Sequence, residues 1–107
     1  MEMGIDMKGG RRFFEKGIRF EYKVKKYLES LPEVAKVIRN PRSQFPDLWV
    51  ISRGVASAIA IECKKTNKEL NEEEIQMAKK LIEDGISIKI AYENEKKQIQ
   101  FRYPIIC

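Results

Sequence analysis

Asp47, Glu62 and Lys64 are the charges in this sequence that solubility and core filling explain least. They lie in or against two apolar runs, Pro46-Asp47-Leu48-Trp49-Val50-Ile51 and Ala58-Ile59-Ala60-Ile61-Glu62-Cys63-Lys64-Lys65. The second run reads as a buried or half-buried strand, so Glu62 and Lys64 share one face and Cys63 takes the other. If the first run lies in a neighbouring strand, Asp47 closes on Glu62 and the two offer oxygen ligands to a hard divalent cation such as magnesium. Lys64 then has three open roles: proton transfer, positioning of a water, or compensating positive charge. Such a set suits phosphodiester hydrolysis, in which a metal polarises the phosphate and activates water while added positive charge stabilises the transition state. The plain alternative is a strand end whose polar residues reach solvent, and an acid-x-lysine triplet alone does not decide between the two.

Composition narrows the chemistry further. The 107 residues are expected to form one compact domain with a modest core. Twenty-one Lys or Arg against sixteen Asp or Glu give a formal charge of +5, and 43% of residues are apolar, which is a globular composition. The basic surplus fits an anionic partner such as nucleic acid, or general solubility. Histidine is absent, so histidine-based metal binding, nucleophile activation and acid-base catalysis are excluded. Cys63 and Cys107 give neither a disulfide framework nor zinc spacing. A site here must use carboxylates, lysine and bound water. Met1-Glu2-Met3-Gly4 opens no apolar signal segment and no run is long enough to cross a bilayer, so an intracellular, cytoplasmic protein without a membrane partner is expected.

The elements that must position these residues follow from periodicity. Residues 1–16 carry Gly4, Gly9 and Gly10 and sustain no period, which suggests a basic, flexible arm ahead of a compact domain over 17–107. Arg11, Arg12 and Lys16 are candidate phosphate contacts on that arm, a solvated terminus being the alternative. From Gly17 the pattern is helical, with Phe20, Val24, Tyr27, Leu28 and Leu31 on one stripe and an end near Leu31 before Pro32. Glu21 sits at the edge of that stripe, either delivering a carboxylate towards the sheet or reaching back to solvent. Val34–Arg39 is the first strand, and the turn-rich Asn40–Pro46 loop leads to Asp47, with Arg42 and Ser43 as candidate phosphate contacts. Ser52-Arg53-Gly54 turns the chain into a long strand ending at Lys65. Asn71 and Glu74 form a capping box for the next helix, with Leu70 and Ile75 as its hydrophobic staple and Asp84-Gly85 as its exit. Ile75, Ala78, Leu81 and Ile82 make its core stripe. Gln76 is expected beside that stripe, where it either orients Lys64 or a catalytic water, or solvates the helix. Ile86, Ile88 and Ile90 form one alternation, and Ile99, Phe101 and Tyr103 another. The order helix, three strands, helix, two strands supplies a small mixed sheet flanked by helices.

Taken in order, these residues resemble the PD-(D/E)XK nuclease superfamily, and especially the archaeal Holliday-junction resolvases. The resemblance covers residues 16 to about 92: Lys16-Gly17-Ile18-Arg19-Phe20-Glu21 at the entry to the first helix, a strand, Pro46-Asp47, Glu62-Cys63-Lys64 on its strand, and a helix containing Gln76. It implies an α/β fold of the restriction-endonuclease-like type, with a mixed central sheet flanked by helices. It further implies a metal-dependent endonuclease using Mg2+ or Mn2+, acting on branched DNA and commonly as a homodimer. The family pattern maps its helix-borne acid to Glu21, its central metal-binding acids to Asp47 and Glu62, a carbonyl ligand to Cys63, and its catalytic lysine to Lys64. Ser43 resembles the resolvases' active-site loop serine, in a loop shorter than theirs, and Gln76 a glutamine of several branches. A general or nick-generating endonuclease and an inactive nucleic-acid-binding module are the alternatives.

Overall fold

The computed structural model describes residues 5–41 and 44–106, with side chains from residue 17 onward. Helix α1 (Ile5–Glu29) leads into strands β1 (Val34–Arg39), β2 (Leu48–Ser52) and β3 (Ile59–Lys64). Helix α2 (Glu72–Glu83) and strands β4 (Ser87–Glu93) and β5 (Ile99–Arg102) follow. The strands form one sheet in the order β1-β2-β3-β4-β5. Neighbours run antiparallel except β3 and β4, which are parallel because α2 carries the chain back over one face before β4 begins.

The sheet is covered on both faces, and the strand alternation sorts side chains between them. Phe20, Val24 and Leu28 of α1 pack with Val34, Val37, Leu48, Val50, Ile61 and Ala91. Leu70 and Ala78, with Ile75 and Leu81 against them, pack on Ala60, Ile88 and Ile90 from the other side. Along β3, Ile59, Ile61 and Cys63 therefore belong to the α1 face, and Ala60 to the α2 face. Glu62 and Lys64 are in phase with Ala60.

Several boundaries differ from those expected. The helical backbone of α1 starts at Ile5 rather than at Gly17, so residues 5–16 extend the helix instead of lacking regular structure. Tyr27 is on the margin of the α1 stripe, 44% exposed, with its ring 6.0 Å from that of Phe101. β3 begins at Ile59, after turns and bends that include Gly54 at φ +73°, and is shorter than the strand expected from Gly54 onward. Ile82 and Tyr103 are exposed, because Ile82 stands in the last turn of α2 and β5 stops at Arg102.

The capping box at the start of α2 is present in full. Asn71 Oδ1 accepts from the Glu74 N–H at 2.8 Å and Glu74 Oε1 accepts from the Asn71 N–H at 2.9 Å. At the other end Gly85, at φ +83°, reverses the chain and donates to Ile82, while Ile86 donates to Leu81 at 2.9 Å. At the end of β4, Glu93 accepts from Lys23 of α1 and from Lys65 after β3, joining three elements at one end of the sheet. Those two bonds hold the Glu93 carboxyl down to about 2. Among the described residues no helix is long and apolar enough to cross a membrane.

Candidate active site

The antiparallel register of β2 and β3 pairs Leu48 with Ile61, so the next pair outward is Asp47 and Glu62. Each carboxylate is held by the other strand's backbone. The Asp47 N–H donates to Glu62 Oε1 at 3.2 Å, and the Cys63 N–H donates to Asp47 Oδ2 at 2.8 Å. Asp47 is also clipped from behind, because the Asn40 N–H donates to its carbonyl at 2.9 Å and Asn40 Nδ2 to the Pro46 carbonyl at 2.6 Å. The two acids are 9% and 6% exposed, which is unusual for carboxylates without a paired cation apiece.

Two further acids and two cations close around this pair. Glu21, from α1, accepts from Arg39 Nε at 2.9 Å, and the Arg39 guanidinium lies 5.1 Å from the centre of the Tyr22 ring. Lys64 Nζ donates to Glu74 Oε1 at 2.8 Å and Oε2 at 3.0 Å, and stands 3.7 Å from Glu62 Oε2. Burial, then the Asp47 charge and then Glu74, push the Glu62 carboxyl far above its ordinary range, against a smaller pull from Lys64. Burial likewise raises Asp47, although the Cys63 N–H, Glu62 and Lys64 draw it back. Glu21 is raised by burial and by Asp47, with Arg39 opposing. Glu74 behaves differently: burial pushes it up, but the bonds from Lys64, the Asn71 N–H and Glu62 outweigh that and leave it below the usual carboxylate range.

Among solved structures, this chain superimposes on the 1.6 Å structure of Archaeoglobus fulgidus Hjc, a Holliday junction resolvase from an archaeal hyperthermophile. The TM-score is 0.62 at 24% sequence identity, over 82% of this chain and 72% of that one. The two proteins share a fold. No family model matches the sequence, and no curated protein does. The α/β architecture is thus the one seen in the archaeal resolvase, as the ordered motif implied, and the acids and lysine above stand where β2, β3 and the two helices meet.

Within this fold the expected site residues are placed differently. Glu21, Asp47, Glu62 and Lys64 converge. Cys63 turns its side chain into the α1-side cluster, and burial together with Asp47, Glu21 and Glu62 pushes its thiol up, which leaves only its backbone for the site. Gln76 is exposed, and among the described residues no hydrogen bond joins it to Lys64. It lies about 200° around the helix from buried Ala78, so it is nearly opposite the core stripe rather than beside it. Ser43 and Arg42, and the side chains of Arg11, Arg12 and Lys16, lie outside what the structure describes. Glu74 was expected only as a capping partner and is the α2 residue that meets Lys64.

The donor chemistry fits a hard divalent cation. Four carboxylates, Glu21, Asp47, Glu62 and Glu74, face two cations, Arg39 and Lys64, and three of the acids are raised by burial and by one another. A doubly charged, oxygen-seeking ion would relieve that excess. Among the described residues no three such side chains close into a ready-made metal-holding group. Asp47 and Glu62 form the linked pair, and Glu21 is turned to Arg39.

Proposed function

We propose that the chain is a metal-dependent, structure-selective DNA endonuclease that resolves four-way Holliday junctions by paired strand cleavage. The observation that carries this reading is the buried Asp47–Glu62 pair, cross-held by backbone N–H groups, with Lys64 3.7 Å from Glu62. Likeness of fold to an archaeal resolvase supports it. In this reading Asp47, Glu62 and the Cys63 carbonyl hold Mg2+ or Mn2+, with Glu21 supporting the metal or the attacking water. The metal, when bound, supplies phosphate polarisation and a more acidic water. Lys64 stabilises charge on the phosphate or positions the water, and its side chain is only 20% exposed, which strengthens such a contact. Arg11, Arg12, Lys16, Arg42 and Ser43 are proposed to grip the DNA backbone. Paired cuts across a junction need two sites related by symmetry, hence a homodimer.

The test is cleavage of matched four-way, nicked, single-stranded and linear duplex DNA, with and without Mg2+ or Mn2+, with strand-resolved products and the size of the protein measured alongside. Symmetric nicks on opposing junction strands by a dimer are the expected result. Equal turnover on linear duplex without paired cuts would make it a general endonuclease. Binding without metal-dependent cleavage of any substrate would leave a nucleic-acid-binding module.

A further inference from the structure

We infer that Glu74 is a positioning residue for Lys64: anchored at the first turn of α2, its carboxylate aims the Lys64 ammonium at the Asp47–Glu62 pair. The inference rests on the endonuclease reading and adds to it a residue that the ordered motif does not contain. Glu74 follows Glu72 and Glu73 in the acidic first turn of α2, where those two are exposed and Glu74 is half-buried. A glutamate there needs only one oxygen to complete the capping box. Glu74 uses Oε1 for the Asn71 N–H at 2.9 Å and presents both oxygens to Lys64 Nζ, at 2.8 and 3.0 Å. The side chains of Lys64 and Glu74 are only 20% and 15% exposed, so this ion pair is shielded from the solvent that weakens surface pairs.

Lys64 requires such a holder. It is the last residue of β3, where strand pairing ends at Tyr92. A lysine carries its charge on a flexible four-carbon stem, and an unheld ammonium would sample solvent as readily as the site. Two of its three donors engage Glu74, and the third remains for a phosphate oxygen or a water beside Glu62. Because Glu74 is fixed to the α2 N-terminus by the Asn71 backbone, and α2 is packed on the sheet through Ala78, the lysine is placed by rigid elements. That is the arrangement expected when a mobile cation has to meet a reacting phosphate at a defined place.

Three variants separate positioning from capping. Glu74→Gln keeps an acceptor for the Asn71 N–H but loses the charge and one acceptor for Lys64. Glu74→Ala loses both functions. Asn71→Ala removes the side-chain bond to the Glu74 N–H yet leaves the Asn71 backbone donor that holds Glu74 Oε1. Cleavage of four-way junction DNA in Mg2+ is measured with kcat and KM resolved, together with melting temperature. Lys64 is also labelled by an amine-reactive reagent in the DNA-free protein and read by mass spectrometry. Glu74→Gln should lower kcat by about tenfold, the loss of roughly one charge-assisted hydrogen bond, with KM within about twofold. Glu74→Ala should lower kcat at least as far. Asn71→Ala should melt earlier but keep kcat within about twofold of the unmodified protein. Lys64 labelling should speed up by about tenfold in both Glu74 variants and stay unchanged in Asn71→Ala, the expected loss of one charge-assisted bond. If Glu74→Gln keeps kcat while Asn71→Ala and Glu74→Ala fall together in step with melting temperature, Glu74 only caps the helix and the inference is overturned. If the unmodified protein makes no metal-dependent cut, the endonuclease reading fails by itself. Labelling then still decides the Lys64–Glu74 contact, and equal labelling in all four proteins overturns that too.

Discussion

Glu62→Gln should make the metal-free protein more stable at neutral pH while abolishing its response to metal. The substitution is close to isosteric. The amide oxygen of glutamine can still accept from the Asp47 N–H and its amino group can donate to Glu74, so the geometry of the pair survives. What disappears is a titration. Burial, Asp47 and Glu74 push Glu62 from its ordinary 4.5 to about 10, with Lys64 alone pulling the other way. Since the folded value lies above the unfolded one, the contribution of Glu62 to stability is complete below about pH 4.5 and is lost progressively as pH rises towards 10. At pH 7 some 2.5 pH units of that window have been crossed, an upper figure of about 3 kcal/mol at 1.36 kcal/mol per unit. Relaxation of the site and its effective dielectric bring the expected gain to about 2 kcal/mol, or a rise in melting temperature of about 10 °C for a domain of this size.

Melting curves of the two proteins in EDTA from pH 4 to pH 8 would test this directly. The curves should coincide near pH 4 and diverge steadily, with Glu62→Gln higher. Glu69 and Glu93, whose carboxyls are lowered by partners other than Glu62, lose stability as pH falls, but they titrate alike in both proteins and cancel in the difference. Adding Mg2+ should raise the unmodified protein alone, by about 2.7 kcal/mol at a hundredfold excess over Kd, and so close the gap. A Glu62→Gln protein that melts lower than the unmodified one throughout this range in EDTA, or a difference independent of pH, would refute the account of the buried acid pair.

Other consequences of the proposed site are open to simple measurement. Calorimetric titration of folded Asp47→Asn should show metal affinity reduced by at least about a hundredfold, because losing even an outer-shell partner costs about ten- to a hundredfold. Lys64→Ala should lower kcat by about 10^2 to 10^4 under saturating DNA while the DNA Kd changes little, and intact turnover would remove the lysine from the chemistry. Replacing Arg11, Arg12 and Lys16 together by alanine should weaken DNA binding and flatten its dependence on log salt by about 0.9 for each phosphate no longer neutralised, leaving kcat unaffected.

The elements of the fold were legible because each has a local cause. The α2 boundaries follow from Asn71, Glu74 and Gly85, and the burial of Phe20, Val24 and Leu28 follows from their spacing. What was not legible is set by tertiary contact. Nothing in the sequence states that β2 and β3 pair so as to continue Leu48–Ile61 into Asp47–Glu62, or that Arg39 at the end of β1 meets Glu21. The errors at Ile82 and Tyr103 share a reason: each continues an apolar period past the point where its element stops packing on the sheet, whereas Tyr27, one residue before buried Leu28, stands at the margin of a stripe that still packs.

Glu74 and Gln76 show a different kind of blindness. A helix advances about 100° per residue, so a residue four before buried Ala78 returns to the core side and a residue two before it points almost directly away. By that count Glu74 was available to the site and Gln76 was not, with no structure needed. The capping box concealed it, because a glutamate at that position already has a sufficient local reason to be there. A carboxylate has two oxygens and about four acceptor sites, however, and a cap uses one of them. The remaining capacity of Glu74 is directed into the shielded space where Lys64 ends, so one side chain both starts α2 and, on the reading proposed above, sets the direction of the site's lysine.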